Sequence, residues 1–186
     1  MEKIFVAIEG PDGVGKTSCG ELLSASINGI YRKVPAGIFM EMKETVHRID
    51  NLDARFLFFL SANLHVSDMI RRLLGESSVV CDRYLASTFA YHKAFGANTN
   101  IANWQILKQS LIQPDFTFIL EADDQVLFER LKEKGDSVEK FWNKVAMRQE
   151  IRKNYLDFSK DIIRIDTNKK TANEVCEEML QIIKTR

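Results

Sequence analysis

Cysteine is scarce and poorly placed for bridging. Cys19, Cys81 and Cys176 are odd in number, far apart and without CxxC spacing, which argues against a disulfide framework and a zinc site and favours a reducing cytoplasm. An excess of one charge is lacking as well. The 26 lysines and arginines balance 26 aspartates and glutamates, so no long-range field draws the chain to nucleic acid or to an anionic membrane. Any anion site has to be local. Long apolar runs are missing: the first, from Ile4, meets Glu9 and Asp12 almost at once, too short for a signal sequence or a membrane span. Proline is confined to Pro11, Pro35 and Pro114, all in expected loops, and there are no repeats, low-complexity tracts or Pro/Gly-rich linkers to mark a boundary. With 45% apolar and 28% charged residues, the expectation is one domain over residues 1–186 that buries its core without staples.

What is present is an alternation. Short β-branched or aromatic runs at Ile4 to Ile8, Ile30 to Val34, Ser78 to Cys81, Phe116 to Leu120 and Ile162 to Ile165 are separated by longer helical patterns. Continuous apolar strands are those of a parallel sheet covered on both faces by crossover helices, so the expected fold is a doubly wound α/β domain. The longest helical pattern covers about residues 51–74, with Leu52, Phe56, Phe59, Asn63, Val66, Ile70 and Leu73 at spacings of three and four; only Asn63 breaks the apolar stripe. A last helix is predicted from Ala172, with Thr171 as N-cap and Glu174 three residues on.

Directly behind the first strand stands Gly10-Pro11-Asp12-Gly13-Val14-Gly15-Lys16-Thr17-Ser18, which contains G-x-x-x-x-G-K-[ST] in the strand–loop–helix setting that pattern requires. Each part has a physical purpose. Gly13 and Gly15 let backbone N–H groups converge on phosphate oxygens, the following helix points its positive end at them, and Lys16 neutralises β/γ charge. Thr17 offers a hydroxyl to magnesium. ATP with Mg2+ is therefore the expected cofactor, held by residues 10–18. Such a site also needs a carboxylate at the end of a neighbouring strand, and Asp82 closes the run Val79-Val80-Cys81. Arg83 beside it carries a fixed charge and a fork suited to a pair of phosphate oxygens.

Asp82-Arg83-Tyr84, followed by Ala86-Ser87-Thr88 and Ala90-Tyr91, resembles the Asp-Arg-Tyr segment of thymidylate kinases. Asp12 in the loop, Phe59 on the long helix, Gln113-Pro114-Asp115 before strand four, and Ile151-Arg152 ahead of Tyr155-Leu156 agree in order and spacing, so the resemblance spans nearly the whole chain. It implies a P-loop NTPase-type three-layer sandwich with a five-stranded parallel sheet. It also implies transfer of the ATP γ-phosphoryl group to a nucleoside monophosphate, dTMP, and a homodimer through the long helix around 51–74. Carried over by the same resemblance, Asp12 contacts the sugar side of the acceptor, Arg83 its phosphate, Phe59 stacks on the base, and Thr88, Tyr91 and His92 read the base edge.

The pattern also breaks. Asn63 stands where the family has an arginine four residues after the stacking aromatic; it can donate to a carbonyl and can also accept, which leaves room for a different base. Near Val34-Pro35-Ala36-Gly37 an alanine replaces an acceptor-phosphate arginine, with Arg32 or Lys33 as substitutes. Position 13 is glycine, so the lid, about residues 132–141, has to supply the catalytic cation, yet it offers only Lys132, Lys134 and Lys140. Downstream, Lys140, Lys144, Arg148 and Arg152 recur every four residues along one helix face, and Arg148 and Arg152 are the candidates for the γ-phosphate. Three other readings remain at this stage: a deoxynucleoside kinase, a nucleotide-dependent switch or ATPase, and a degenerate nucleotide-binding relative. The absence of an Asn-Lys-x-Asp base reader, and of a glutamate after Asp82, speaks against the second.

Overall fold

The computed structural model describes residues 2–133, 135, 145–159 and 161–186. Five strands, β1 (Phe5–Glu9), β2 (Ile30–Lys33), β3 (Val79–Asp82), β4 (Phe116–Glu121) and β5 (Ile163–Asp166), form one parallel sheet in the order β2-β3-β1-β4-β5. Their ends fall within one residue of the expected runs, and the displacement has a cause. Glu9, Asp82, Glu121 and Asp166 have poor strand propensity but complete the ladders, Asp82 opposite Ile8 and Asp166 opposite Glu121. Backbone pairing therefore carries four carboxylates to the C-terminal edge of the sheet.

Among the described residues eight α-helices accompany the strands: α1 (Lys16–Ser26), α2 (Ile38–Val46), α3 (Leu52–Leu73), α4 (Leu85–Ala94), α5 (Trp104–Ser110), α6 (Asp124–Glu133), α7 (Val145–Phe158) and α8 (Ala172–Thr185). The strand period of two sorts the core into layers. Val6, Ile8, Phe118 and Leu120 pack with Leu23, Leu127, Val175 and Met179 of α1, α6 and α8. On the other face, Phe5, Ala7, Val79 and Cys81 meet Phe56, Leu60, Val66 and Ile70 of α3, while Ile119 meets Ala90 of α4 and Ile151 and Tyr155 of α7. Each valine, leucine, isoleucine, phenylalanine or methionine among them, fully buried, contributes about 1.5–3 kcal/mol. The edge strands β2 and β5 are only partly covered.

The helix ends follow the sequence. Asn51 caps α3 by accepting from the Ala54 N–H at 2.9 Å. Thr171 and Glu174 form the expected capping box on α8, with the Thr171 N–H donating to Glu174 Oε2 at 2.7 Å. All three cysteines are free and buried. No helix among the described residues is long and apolar enough to cross a membrane.

Candidate active site

The loop between β1 and α1 is shaped by glycine. Gly10, Gly13 and Gly15 have φ of 133°, 90° and 92°, a region costly for any residue with a Cβ. At Gly13 an added Cβ would lie 3.1 Å from Leu131 Cγ and 3.3 Å from Leu127 Cδ2, both on α6. An arginine in the loop itself is thus opposed by both backbone and packing. Gly15 occupies the N-cap of α1 without a side-chain cap, leaving the first-turn N–H groups for another acceptor. Lys16 is 7% exposed, and its Nζ donates to the Pro11 carbonyl at 2.7 Å and lies 3.9 Å from Asp12 Oδ1. Burial, then the neighbouring Arg83 charge, push its pKa down to about 7, against the pull of Asp12, Asp82 and Glu9.

Asp82, at the end of β3, faces the start of α1. Its Oδ2 accepts from Thr17 Oγ1 at 2.8 Å and from the Tyr31 hydroxyl at 3.0 Å, while Oδ1 is buried with no protein partner. A spare carboxylate oxygen beside a hydroxyl is a hard-oxygen donor set that suits magnesium. Among the described residues no group of three or more His, Cys, Asp or Glu side chains could cage a metal, so a cation here would draw its remaining ligands from phosphates and water, as magnesium commonly does.

Arg83 takes a left-handed backbone, φ 71°, which turns its side chain back across the loop. Nη2 donates to Asp12 Oδ1 at 2.5 Å, Nη1 donates to Ser87 Oγ at 3.1 Å and the Gly10 carbonyl at 3.3 Å, and the guanidinium lies 4.9 Å from the Tyr91 ring centroid. The Asp12 side chain is 73% exposed; partial enclosure opposes its ionisation, but Arg83 and then Lys16 outweigh that and hold its pKa below the usual range. Beneath the loop Glu9 is fully buried and accepts from the Tyr84 N–H at 3.0 Å and from Ser87 Oγ. Burial raises the Glu9 pKa, Ser87 and Arg83 opposing. The Tyr155 hydroxyl accepts from the Gly10 N–H at 3.2 Å and sits 2.8 Å from Ser87 Oγ.

The profile of the family described as thymidylate kinase matches residues 8–179. The chain belongs to the thymidylate kinase family. Thymidylate kinase of Brachyspira hyodysenteriae is 28% identical over 99% of this chain and 95% of that protein, and thymidylate kinase of Mycoplasmopsis pulmonis is 30% identical over 98% and 88%. The solved structure of the Candida albicans thymidylate kinase superposes with a TM-score of 0.76 at 22% identity, covering 99% of this chain and 92% of that one, which shows the shared fold. As in that family, the chain is a nucleoside monophosphate kinase with the P-loop NTPase fold.

Of the residues singled out for the base end, Phe59, Asn63, Thr88 and His92 form a second cluster between α3 and α4, whereas Tyr91 lies with Arg83 at the phosphate end. Asn63 is fully buried; its Nδ2 donates to Thr88 Oγ1 at 2.7 Å and to the Phe59 carbonyl at 2.8 Å, leaving Oδ1 buried without a protein partner. His92 Nδ1 lies 2.7 Å from the Thr88 carbonyl, to which it can only donate. Burial lowers the His92 pKa to about 4, partly offset by that bond, so the ring is neutral at physiological pH and Nε2 is an acceptor. Phe59 is only 8% exposed, with ring centroids of His92 at 5.0 Å and His47 at 5.4 Å. Both histidine rings are tilted against Phe59, at 45° for His92 and 33° for His47.

Arg148 Nε donates to Asp124 Oδ1 at 3.1 Å, and Arg152 Nη2 donates to the same oxygen at 3.3 Å and to the Ala122 carbonyl at 2.6 Å. Both arginines thereby fasten α7 to the first residue of α6. Lys134, Lys140, Lys144 and most of the expected lid lie outside the described residues, while Lys132 lies 5.9 Å from the Phe128 ring centroid. Arg32 donates to its neighbour Tyr31's carbonyl at 3.0 Å and Lys33 is exposed. Val14 is buried and Ser18 exposed. Sequence reasoning assigned no function to Glu9, Tyr31, His47 or Ser87. Ser87 stands in the quoted Asp-Arg-Tyr segment and Glu9 at the end of an obvious strand, so position could have flagged both; Tyr31 and His47 carried no signal.

Proposed function

We propose that this chain transfers the γ-phosphoryl group of ATP to the phosphate of dTMP, giving dTDP and ADP. The observation that supports it best is Arg83 linking loop residue Asp12 to Tyr91 on α4, beside Lys16 and the Thr17–Asp82 pair. That arrangement brings a donor-phosphate cradle and an acceptor-phosphate cation to one edge of the sheet. Lys16 and the N–H groups at the start of α1 hold the polyphosphate; Thr17 and Asp82 hold its magnesium, which supplies charge neutralisation when bound. Arg83 presents its fork to the acceptor phosphate and Asp12 holds the sugar side. Phe59, Asn63, Thr88, Tyr91 and His92 receive the base. Arg148 and Arg152 supply charge to the transferring group by exchanging Asp124 for it. An ionised phosphate is already a nucleophile, so positioning and charge account for catalysis, without a general base.

The homodimer belongs to this reading: Leu57 and Leu64, seven residues apart on α3, are 45% and 37% exposed, and Ile38 and Met42 on α2 are exposed as well. One domain working in the cytoplasm completes it. The test is ADP release measured with each nucleoside and deoxynucleoside monophosphate in turn. Stimulation by dTMP above the others is expected, and none by any monophosphate would overturn the assignment.

A further inference from the structure

Asp82 is held by two hydroxyls that come from different parts of the fold. Thr17 stands in the first turn of α1, immediately behind the phosphate loop. Tyr31 lies on the edge strand β2, 51 residues before Asp82, paired with Val80 in the parallel register. The Tyr31 ring reaches Asp82 through space that α1 leaves open: a Cβ on Gly20 would come within 2.7 Å of Tyr31 Cε2 and 3.1 Å of Cδ2. Gly20 is one turn after Thr17, so α1 contributes one hydroxyl to Asp82 and makes room for the other.

Both hydroxyls converge on Oδ2, at 2.8 Å and 3.0 Å, and Oδ1 is left buried without a partner. Two O–H donors on one oxygen fix the carboxylate torsion, where a single bond from Thr17 would let the group turn. With its proton committed to Asp82, Thr17 keeps its lone pairs for a cation. An unpaired buried carboxylate oxygen is costly unless something arrives to meet it.

We propose that Tyr31 is a positioning residue for the cation end of the nucleotide site: with Thr17 it locks Asp82 so that Oδ1 is the oxygen offered to a nucleotide-bound magnesium ion or its water. The inference rests on the phosphate-loop reading above and assigns to β2 a part in metal binding. A tyrosine that merely satisfies a half-buried hydroxyl would affect stability alone. Loss of an outer partner of a metal-binding group commonly weakens metal affinity by about tenfold or more.

The test is calorimetric titration with the non-hydrolysable ATP analogue AMPPNP, once with excess magnesium and once with EDTA, on the full chain and on Tyr31→Phe, with the melting temperature of each. The expected result is that Tyr31→Phe binds the magnesium complex about tenfold more weakly and the metal-free analogue with unchanged affinity. Equal magnesium enhancement in both proteins, with or without a lower melting temperature, would overturn the role of Tyr31. A wild-type chain that binds the analogue under neither condition would remove the phosphate-loop reading itself, a distinct outcome.

Discussion

The two ends of the candidate site are built differently. At the phosphate end, glycines with positive φ, an uncapped helix start and charged side chains set out groups suited to an anion. At the base end, the rings of His92 and His47 both pack against Phe59. The first is pre-organised by covalent geometry. The second is packed by contacts between side chains.

From that contrast, the largest loss is expected at the phosphate end. Lys16→Ala is expected to lower kcat/KM by at least ~10²–10³-fold with circular dichroism unchanged; near-normal turnover would break the assignment. Next comes Arg83→Lys, which keeps the charge and loses the fork. Replacing charged hydrogen bonds worth about 1.5–3 kcal/mol predicts a fall of roughly 10–100-fold in kcat/KM for the acceptor, with the KM for ATP little changed. An equal rise in both KM values would place Arg83 at the donor instead.

His47→Ala probes the base end and should act in the opposite direction. One aromatic contact is worth about 0.5–1.5 kcal/mol, so removing the ring that competes for Phe59 lowers the KM for dTMP about two- to tenfold. A raised KM would show that His47 holds the base rather than blocks it. The smallest effect is a proton count. Lys16, with a pKa near 7 in the free protein, is mostly neutral at pH 8, and polyphosphate raises that pKa by favouring the charged form. Nucleotide binding at pH 8 should therefore take up close to one proton and at pH 6 nearly none, read from the dependence of calorimetric enthalpy on buffer ionisation.

The same contrast explains what could be read from the chain. The strands were legible because continuous apolar runs suit a doubly covered parallel sheet, and residues 10–17 because a phosphate cradle is made by one contiguous stretch of backbone. Asp82 and Arg83 followed from their place at a strand end. Asn63 was visible as a polar break in the α3 stripe, but its bond to Thr88, 25 residues away, was not. Arg148 and Arg152 were legible as a helix face, and only the fold shows both of them engaging Asp124.

The sequence by itself determined the order of elements, the phosphate loop, and the carboxylate and arginine behind β3, since all of these depend on neighbours a few bonds or one helical turn apart. Tertiary structure alone decided that Tyr31 reaches Asp82, that His47 packs against Phe59, and that the Tyr155 hydroxyl meets the Gly10 N–H from 145 residues away. Those contacts are set by which helix packs on which face of the sheet and by the space a glycine leaves. No local spacing encodes either.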